Sequence, residues 1–217
     1  MCGIFGYIGP KNVVKTILDG LKKLEYRGYD SAGIAGIHDG KLVYEKQVGK
    51  IASLESEVHK SKVKLDIGIG QTRWATHGAA TKINAHPHFD TNHTLAIVHN
   101  GIIENYQPLK DSLKAKGVTF QSDTDTEVIA QLIASLYKGD IVKAVSESIS
   151  LLEGAYAVAL IHESYPDQII AFAHEAPLII GIGDGEVFLA SDTNSFASHT
   201  RDVIYLVDRE IAVLKLD

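Results

Sequence analysis

The sequence predicts an α+β domain built on antiparallel sheets, and three observations predict it. Strand-like runs recur between Gly3 and His99 and dominate from Ala155 onward. Helical stretches cluster between those blocks, which favours antiparallel sheets over βαβ alternation. Two dipeptides between strand-like runs, Asp39-Gly40 and Asp184-Gly185, signal tight hairpins.

The elements follow in order. Gly3 to Ile8 reads as a strand weakened by glycines, which suggests close approach of another backbone or a ligand. Asn12 to Arg27 reads as a helix, with Asn12 as cap and Val14, Ile17, Leu18, Leu21 and Leu24 as its apolar stripe. Ala32 to His38 and Leu42 to Gln47 form a hairpin pair, and Ile51 to Lys60 a short amphipathic helix. Ile67 to Thr72 and Thr94 to His99 are strand-like. Residues 73 to 93 between them lack periodicity, and a loop that long in a compact domain is usually a lid or binding loop.

Helices are expected at Tyr106 to Lys116, Thr126 to Tyr137 and Ile141 to Leu152. Thr124-Asp125-Thr126-Glu127 has a capping-box pattern, and Gly154 is placed to end the last helix. Strands then follow at Tyr156 to Ile161, Gln168 to Ala173, Leu178 to Ile182, Val187 to Ala190, Val203 to Leu206 and Ile211 to Leu216.

Composition bounds the function. The 217 residues are 45% hydrophobic and 22% charged, ordinary for a globular chain that can bury its own core. The net charge is −6 and the 21 Lys and Arg are scattered, which argues against a nucleic-acid or anionic-membrane surface. Cys2 is the only cysteine, so no internal disulfide can form and a cytoplasmic location is expected. No run reaches the length of a membrane span, and no signal peptide opens the chain.

The single thiol stands directly after Met1. A free cysteine is often a small buried hydrophobe. If Met1 is removed, Cys2 instead carries a thiol and a free α-amine, with reference pKa values of about 8.5 and about 7.7–8.0. One residue then holds both nucleophile and base. A nucleophile attacking a carbonyl needs an oxyanion hole, and Asn100-Gly101 offers a side-chain NH2 and an unobstructed backbone N–H. The same dipeptide is also a common turn.

Gln71 to Asp90 contains the only Trp. Arg73 suits a bidentate hold on a substrate carboxylate, and Trp74 could cover a substrate; the alternatives are a surface arginine and a core tryptophan. His77, His86, His88, His93 and His99 raise a metal hypothesis, with His86-Pro-His88 placing two imidazoles on one strand face. No second cysteine or carboxylate spacing supports zinc, so no metal is expected. Asp123, Asp125 and Glu127 stand at a helix start, where the dipole favours them, and one could bind an ammonium group. Arg27-Gly28 closes a helix, with Arg27 either a C-terminal cation or a support for the Cys2 strand.

Taken in order, MCGIFGYIG, LEYRGYDSAG, TRWATHG, NAHPH, HNGIIENY and SDTDTEV closely resemble the glutaminase domain of the glutamine–fructose-6-phosphate aminotransferase family, a branch of the class II glutamine amidotransferases. The likeness continues through LEGAYAVALI, APLIIGIG and LASD, so it covers nearly the whole chain. Cys-Gly-Ile is shared by the whole class. TRWATHG and HNGIIEN point to this branch over the purine, asparagine and glutamate-synthase relatives.

The resemblance implies one domain over 1–217 with an N-terminal-nucleophile hydrolase fold, a four-layer αββα sandwich. It implies that Cys2 attacks the side-chain amide of L-glutamine, with its own α-amine as base, and that Asn100 and Gly101 stabilise the oxyanion. Arg73 would bind the glutamine carboxylate and Asp125 its ammonium. Thr76 and His77 would line the site, with Trp74 on the loop that closes over it. Arg27 and Gly28 would support the Cys2 region. No cofactor is implied. Asp123, where Glu is common, and Ala176, where Ser is common, are the modest departures. The family continues into sugar-isomerase domains that bind fructose 6-phosphate, so this chain is expected to be part of a longer protein. The resemblance leaves a homodimer open.

Overall fold

The computed structural model describes residues 2–216. Two sheets form, and every strand pair in both is antiparallel. In the first, β1 (Gly3–Ile8) lies centrally between β10 (Val187–Ala190) and β4 (Ile67–Arg73). It continues through β2 (Ser31–His38) to β3 (Lys41–Val48) on one side, and through β9 (Ile179–Ile182) to β11 (Asp202–Tyr205) on the other. The second sheet runs in the order β12 (Ile211–Leu214), β8 (Tyr165–His174), β7 (Tyr156–His162), β6 (Leu95–Gly101) and β5 (His88–Phe89).

Strand alternation sorts the side chains into three cores. On β1, Phe5 and Tyr7 face α1 (Val13–Leu24) and α2 (Ile51–Ser61), joining Ile17, Leu21 and Leu54. Ile4 and Ile8 face the other way and meet the second sheet through Val98, Ala157 and Ala159. The far face of that sheet packs Ile97, Val158 and Phe172 under α3 (Tyr106–Ala115), α4 (Thr126–Leu136) and α5 (Ile141–Ile149). The layers are therefore helix, sheet, sheet, helix, the predicted αββα sandwich.

Local sequence accounts for most boundaries. Asn12 caps α1 by accepting from the Lys15 N–H at 2.9 Å. Asp39 and Gly40, with φ of 51° and 72°, make the β2–β3 turn that suits the right-handed strand twist. α1 stops at Leu24, and Glu25–Arg27 tighten into a 3-10 turn before Gly28 resumes extended backbone.

Three local expectations are corrected. The capping box is half formed: Thr124 Oγ1 accepts from the Glu127 N–H, but the Glu127 carboxylate turns to the backbone of Gln121 and Ser122. α5 ends at Ile149, well before Gly154, which instead lies against the Ile102 carbonyl at the entry to β7. The glycines of β1 make room for protein rather than ligand, since a Cβ on Gly3 would sit 2.8 Å from Leu24 Cβ and one on Gly6 would meet Leu189.

Leu21 is fully buried beneath the first sheet. Leu21→Ala should lower unfolding free energy by about 2–5 kcal/mol, read as a lower urea midpoint. A change below about 0.5 kcal/mol would show that α1 does not carry that core.

Candidate active site

Three strands carry their inter-sheet faces to the same end of the sandwich. Ile4 and Ile8 lie on that face of β1, and the period of two puts Cys2 on it as well. On β4, Ile67 and Ile69 are followed on the same face by Gln71 and Arg73. On β6, Ala96 and Val98 are followed by Asn100. The pairing Gly3↔Thr72 sets the head of β1 beside the end of β4. Apolar alternation thus turns polar where both sheets reach the open end, and the polar residues meet there.

The Cys2 backbone is tied to both sheets. Its carbonyl accepts from Arg27 Nε at 3.0 Å and from Asn100 Nδ2 at 3.1 Å. Cys2 Sγ accepts from the Trp74 N–H at 3.3 Å. Burial pushes the Cys2 thiol up, against the lowering pull of the Trp74 N–H and the Arg73 charge. Asn100 and Gly101 are the last residues of β6 and make no turn. Gly101 has φ +125°, and a Cβ there would sit 2.0 Å from the Ala155 carbonyl oxygen, so only glycine fits.

Arg73 is 4% exposed, which rules out a surface arginine. Its guanidinium donates to the carbonyls of His77, Gly78 and Ala79, holding the first part of the long loop. Burial lowers its pKa, opposed by Asp30, Cys2 and Asp125 nearby. Trp74 is half exposed and meets Tyr29 edge-on, so it is not a core residue. Gly28 lets the chain pass against this loop, because a Cβ would lie 2.6 Å from the Arg73 carbonyl carbon.

Asp125 stands at the start of α4, where its Oδ2 accepts from the Ile103 N–H at 2.9 Å. Its Oδ1 lies 4.0 Å from His77 Nδ1. A cavity of about 20 Å³ touches Cys2, Arg73, Thr76, His77 and Asp125. A larger one of about 470 Å³ opens beside it over Cys2, Arg27, Trp74, Asn100, Gly101 and Ala176. Cys2 therefore borders both spaces, and Arg73 and Asp125 line the smaller one.

The histidines divide. His86 and His99 both meet Thr126 Oγ1, at 3.0 and 2.9 Å, and His88 meets Thr124 Oγ1 at 3.2 Å. Burial pushes all three imidazoles down, so they stay neutral behind the site. Of the His86-Pro-His88 pair, His88 alone belongs to a strand; His86 precedes a cis peptide, and its ring meets His88 edge-on instead of sharing a strand face. His93 stacks on Phe89, away from the thiol.

Sequence reasoning missed Gln71, Asp30 and Thr126. Gln71 donates to Asn100 Oδ1 at 3.1 Å, and Asp30 accepts from the Ala75 N–H. A glutamine interrupting the apolar series Ile67, Ile69 was the available signal for the first. Asp30 and Thr126 carried none.

Two stacked antiparallel sheets between helical layers, with a cysteine heading a central strand, define the N-terminal-nucleophile hydrolase class of fold. The chain belongs to the glutamine amidotransferase domain family, whose pattern matches residues 72–198. It is 49% identical over its full length to a glutamine–fructose-6-phosphate aminotransferase of Chlamydia abortus, and 50% identical to that of Caldanaerobacter subterraneus. It spans 36% of the length of each. Among solved structures, glutamine phosphoribosylpyrophosphate amidotransferase from B. subtilis superposes with TM-score 0.82 at 30% identity, covering 99% of this chain and 49% of that one. A class-II glutamine aminotransferase domain protein from Silicibacter pomeroyi shares the fold at TM-score 0.63 and 15% identity, with both chains fully covered. Among the described residues, no helix is long and apolar enough to cross a membrane.

With Met1 in place, the raised thiol pKa makes Cys2 mostly protonated at neutral pH. Its alkylation by iodoacetamide should still accelerate past pH 9. A rate that levels off below about pH 8 would contradict the raised pKa of this thiol.

Proposed function

We propose that this chain hydrolyses L-glutamine to glutamate and ammonia, with Cys2 as nucleophile. The observation that carries it is the convergence on Cys2 of Asn100, Gly101, Arg73 and Asp125 from separate elements. Family membership supports the same substrate.

The α-amine of Cys2, exposed once Met1 is removed, takes the thiol proton as Sγ bonds to the side-chain amide carbon. The oxygen of the tetrahedral adduct is met by the Asn100 side-chain NH2 and the Gly101 N–H. The amine returns its proton to the leaving nitrogen, and ammonia departs as the C–N bond breaks. Water then cleaves the thioester and releases glutamate. Arg73 holds the substrate carboxylate, Asp125 its ammonium, and Thr76 and His77 the walls between. Trp74 closes over the site, and Arg27 and Gly28 hold the Cys2 backbone in place.

In the longer protein, we assign the ammonia to fructose 6-phosphate bound on a sugar-isomerase domain, the acceptor that the relatives' name supplies. Domain 1–217 is then the ammonia-generating part.

Intact mass first establishes removal of Met1. Glutamate release, measured by a coupled assay, should fall to background in Cys2→Ala; undiminished release in that variant would sink the proposal. Arg73→Ala should raise KM for glutamine by at least about tenfold, because a bidentate charge pair costs about 2–5 kcal/mol to break. An unchanged KM would remove Arg73 from substrate binding.

A further inference from the structure

Gln71 is a buried polar side chain in an apolar series. Ile67 and Ile69 precede it on the inter-sheet face of β4, and Gln71 itself is fully buried. Both hydrogens of its amide are used across the sandwich. One goes to the His99 carbonyl and the other to Asn100 Oδ1 at 3.1 Å. Its own Oε1 has no partner. A buried amide with an unpartnered oxygen is a net cost to stability, so packing alone does not account for a glutamine here.

The bond to Asn100 has a directional consequence. The Asn100 amide presents oxygen on one edge and NH2 on the other. With Oδ1 engaged by Gln71, its Nδ2 faces Cys2, where it reaches the carbonyl at 3.1 Å. A second Nδ2 hydrogen stays available on that side. If the amide turned over, Oδ1 would face the Cys2 carbonyl and would repel a developing oxyanion. No other residue is bonded to Asn100 Oδ1 among the described residues. Gln71 also reaches the site from the opposite sheet, so it ties the orientation of Asn100 to the packing of the two layers.

We infer that Gln71 is a positioning residue that sets the Asn100 amide with its NH2 toward the reacting carbon. It acts through Asn100 and does not touch substrate. The inference rests on the proposed glutamine hydrolysis.

The test compares Gln71→Met, which keeps the volume and removes both donors, in the intact chain and in an Asn100→Ala background. In the intact chain, kcat for glutamine should fall about tenfold or more with KM within about twofold, a share of the 10²–10³ that removal of an oxyanion donor costs. In the Asn100→Ala background, the same substitution should change kcat by less than about twofold, because its target is gone. A packing role would lower kcat equally in both backgrounds. Equal losses, or an unchanged kcat in the intact chain, would overturn the inference. If Gln71→Met does not fold, Gln71→Leu replaces it: an apolar side chain offers Asn100 Oδ1 no donor, so the same pattern is expected and the same outcomes overturn it. An inactive unsubstituted protein with Met1 removed would refute glutamine hydrolysis itself, whereas an active one with insensitive Gln71 variants refutes only the positioning role.

Discussion

The carbonyl of Cys2 is the acceptor on which the site depends. Arg27, at the end of the turn after α1, donates to it from one layer, and Asn100 donates to it from the opposite sheet. Arg27 is itself 3.7 Å from Asp192, which also accepts from Tyr26 Oη at 2.6 Å. A terminal residue ordinarily frays. Here its carbonyl is held by Arg27 and Asn100, and two residues on, the strand is pinned by the Ser191 hydroxyl that accepts from the Ile4 N–H. The Cys2 backbone is thereby ordered by the fold, which is what orientation would contribute to the proposed reaction.

The loop after β4 has little regular structure, and two buried cations stand in for it. Arg73 gathers the carbonyls of residues 77 to 79. Lys46, reaching from β3, donates to the carbonyls of Ile83, Ala85 and Pro87 at 3.3, 2.9 and 3.1 Å. Backbone oxygens without a helix or sheet require such partners. Burial lowers the Lys46 ammonium to about 8, the strain of using a charge for this purpose. The loop's second half carries His86 and His88 under Thr126 and Thr124, and so backs Asp125 at the start of α4. Asp125 itself lines the small cavity in front of these imidazoles.

Much was legible in the chain itself. Periodicity marked the strands and helices, because each buries one face and the alternation is local. The position of Cys2 after Met1 marked the residue around which the proposed site is built, because thiol and amine belong to one residue. Ordered motifs marked the family. Less legible was Asn100-Gly101, whose composition suits a turn; here β6 runs through it, because pairing with β7 holds Gly101 opposite Tyr156. Gly3 and Gly6 suggested close approach of another backbone or a ligand; the neighbours that fill the space are α1 at Gly3 and β10 at Gly6, a contact between distant segments.

By itself, the sequence determined the α+β class, the order of elements, the family and the residues that the fold groups around Cys2. Tertiary structure alone decided that Arg73 also organises its own loop, that Gln71 donates to Asn100 Oδ1, and that Thr126 joins His86 to His99. The reason is physical. Propensity and periodicity are properties of neighbouring residues, whereas a hydrogen bond between β4 and β6 exists only after the hydrophobic faces of two sheets have brought them together.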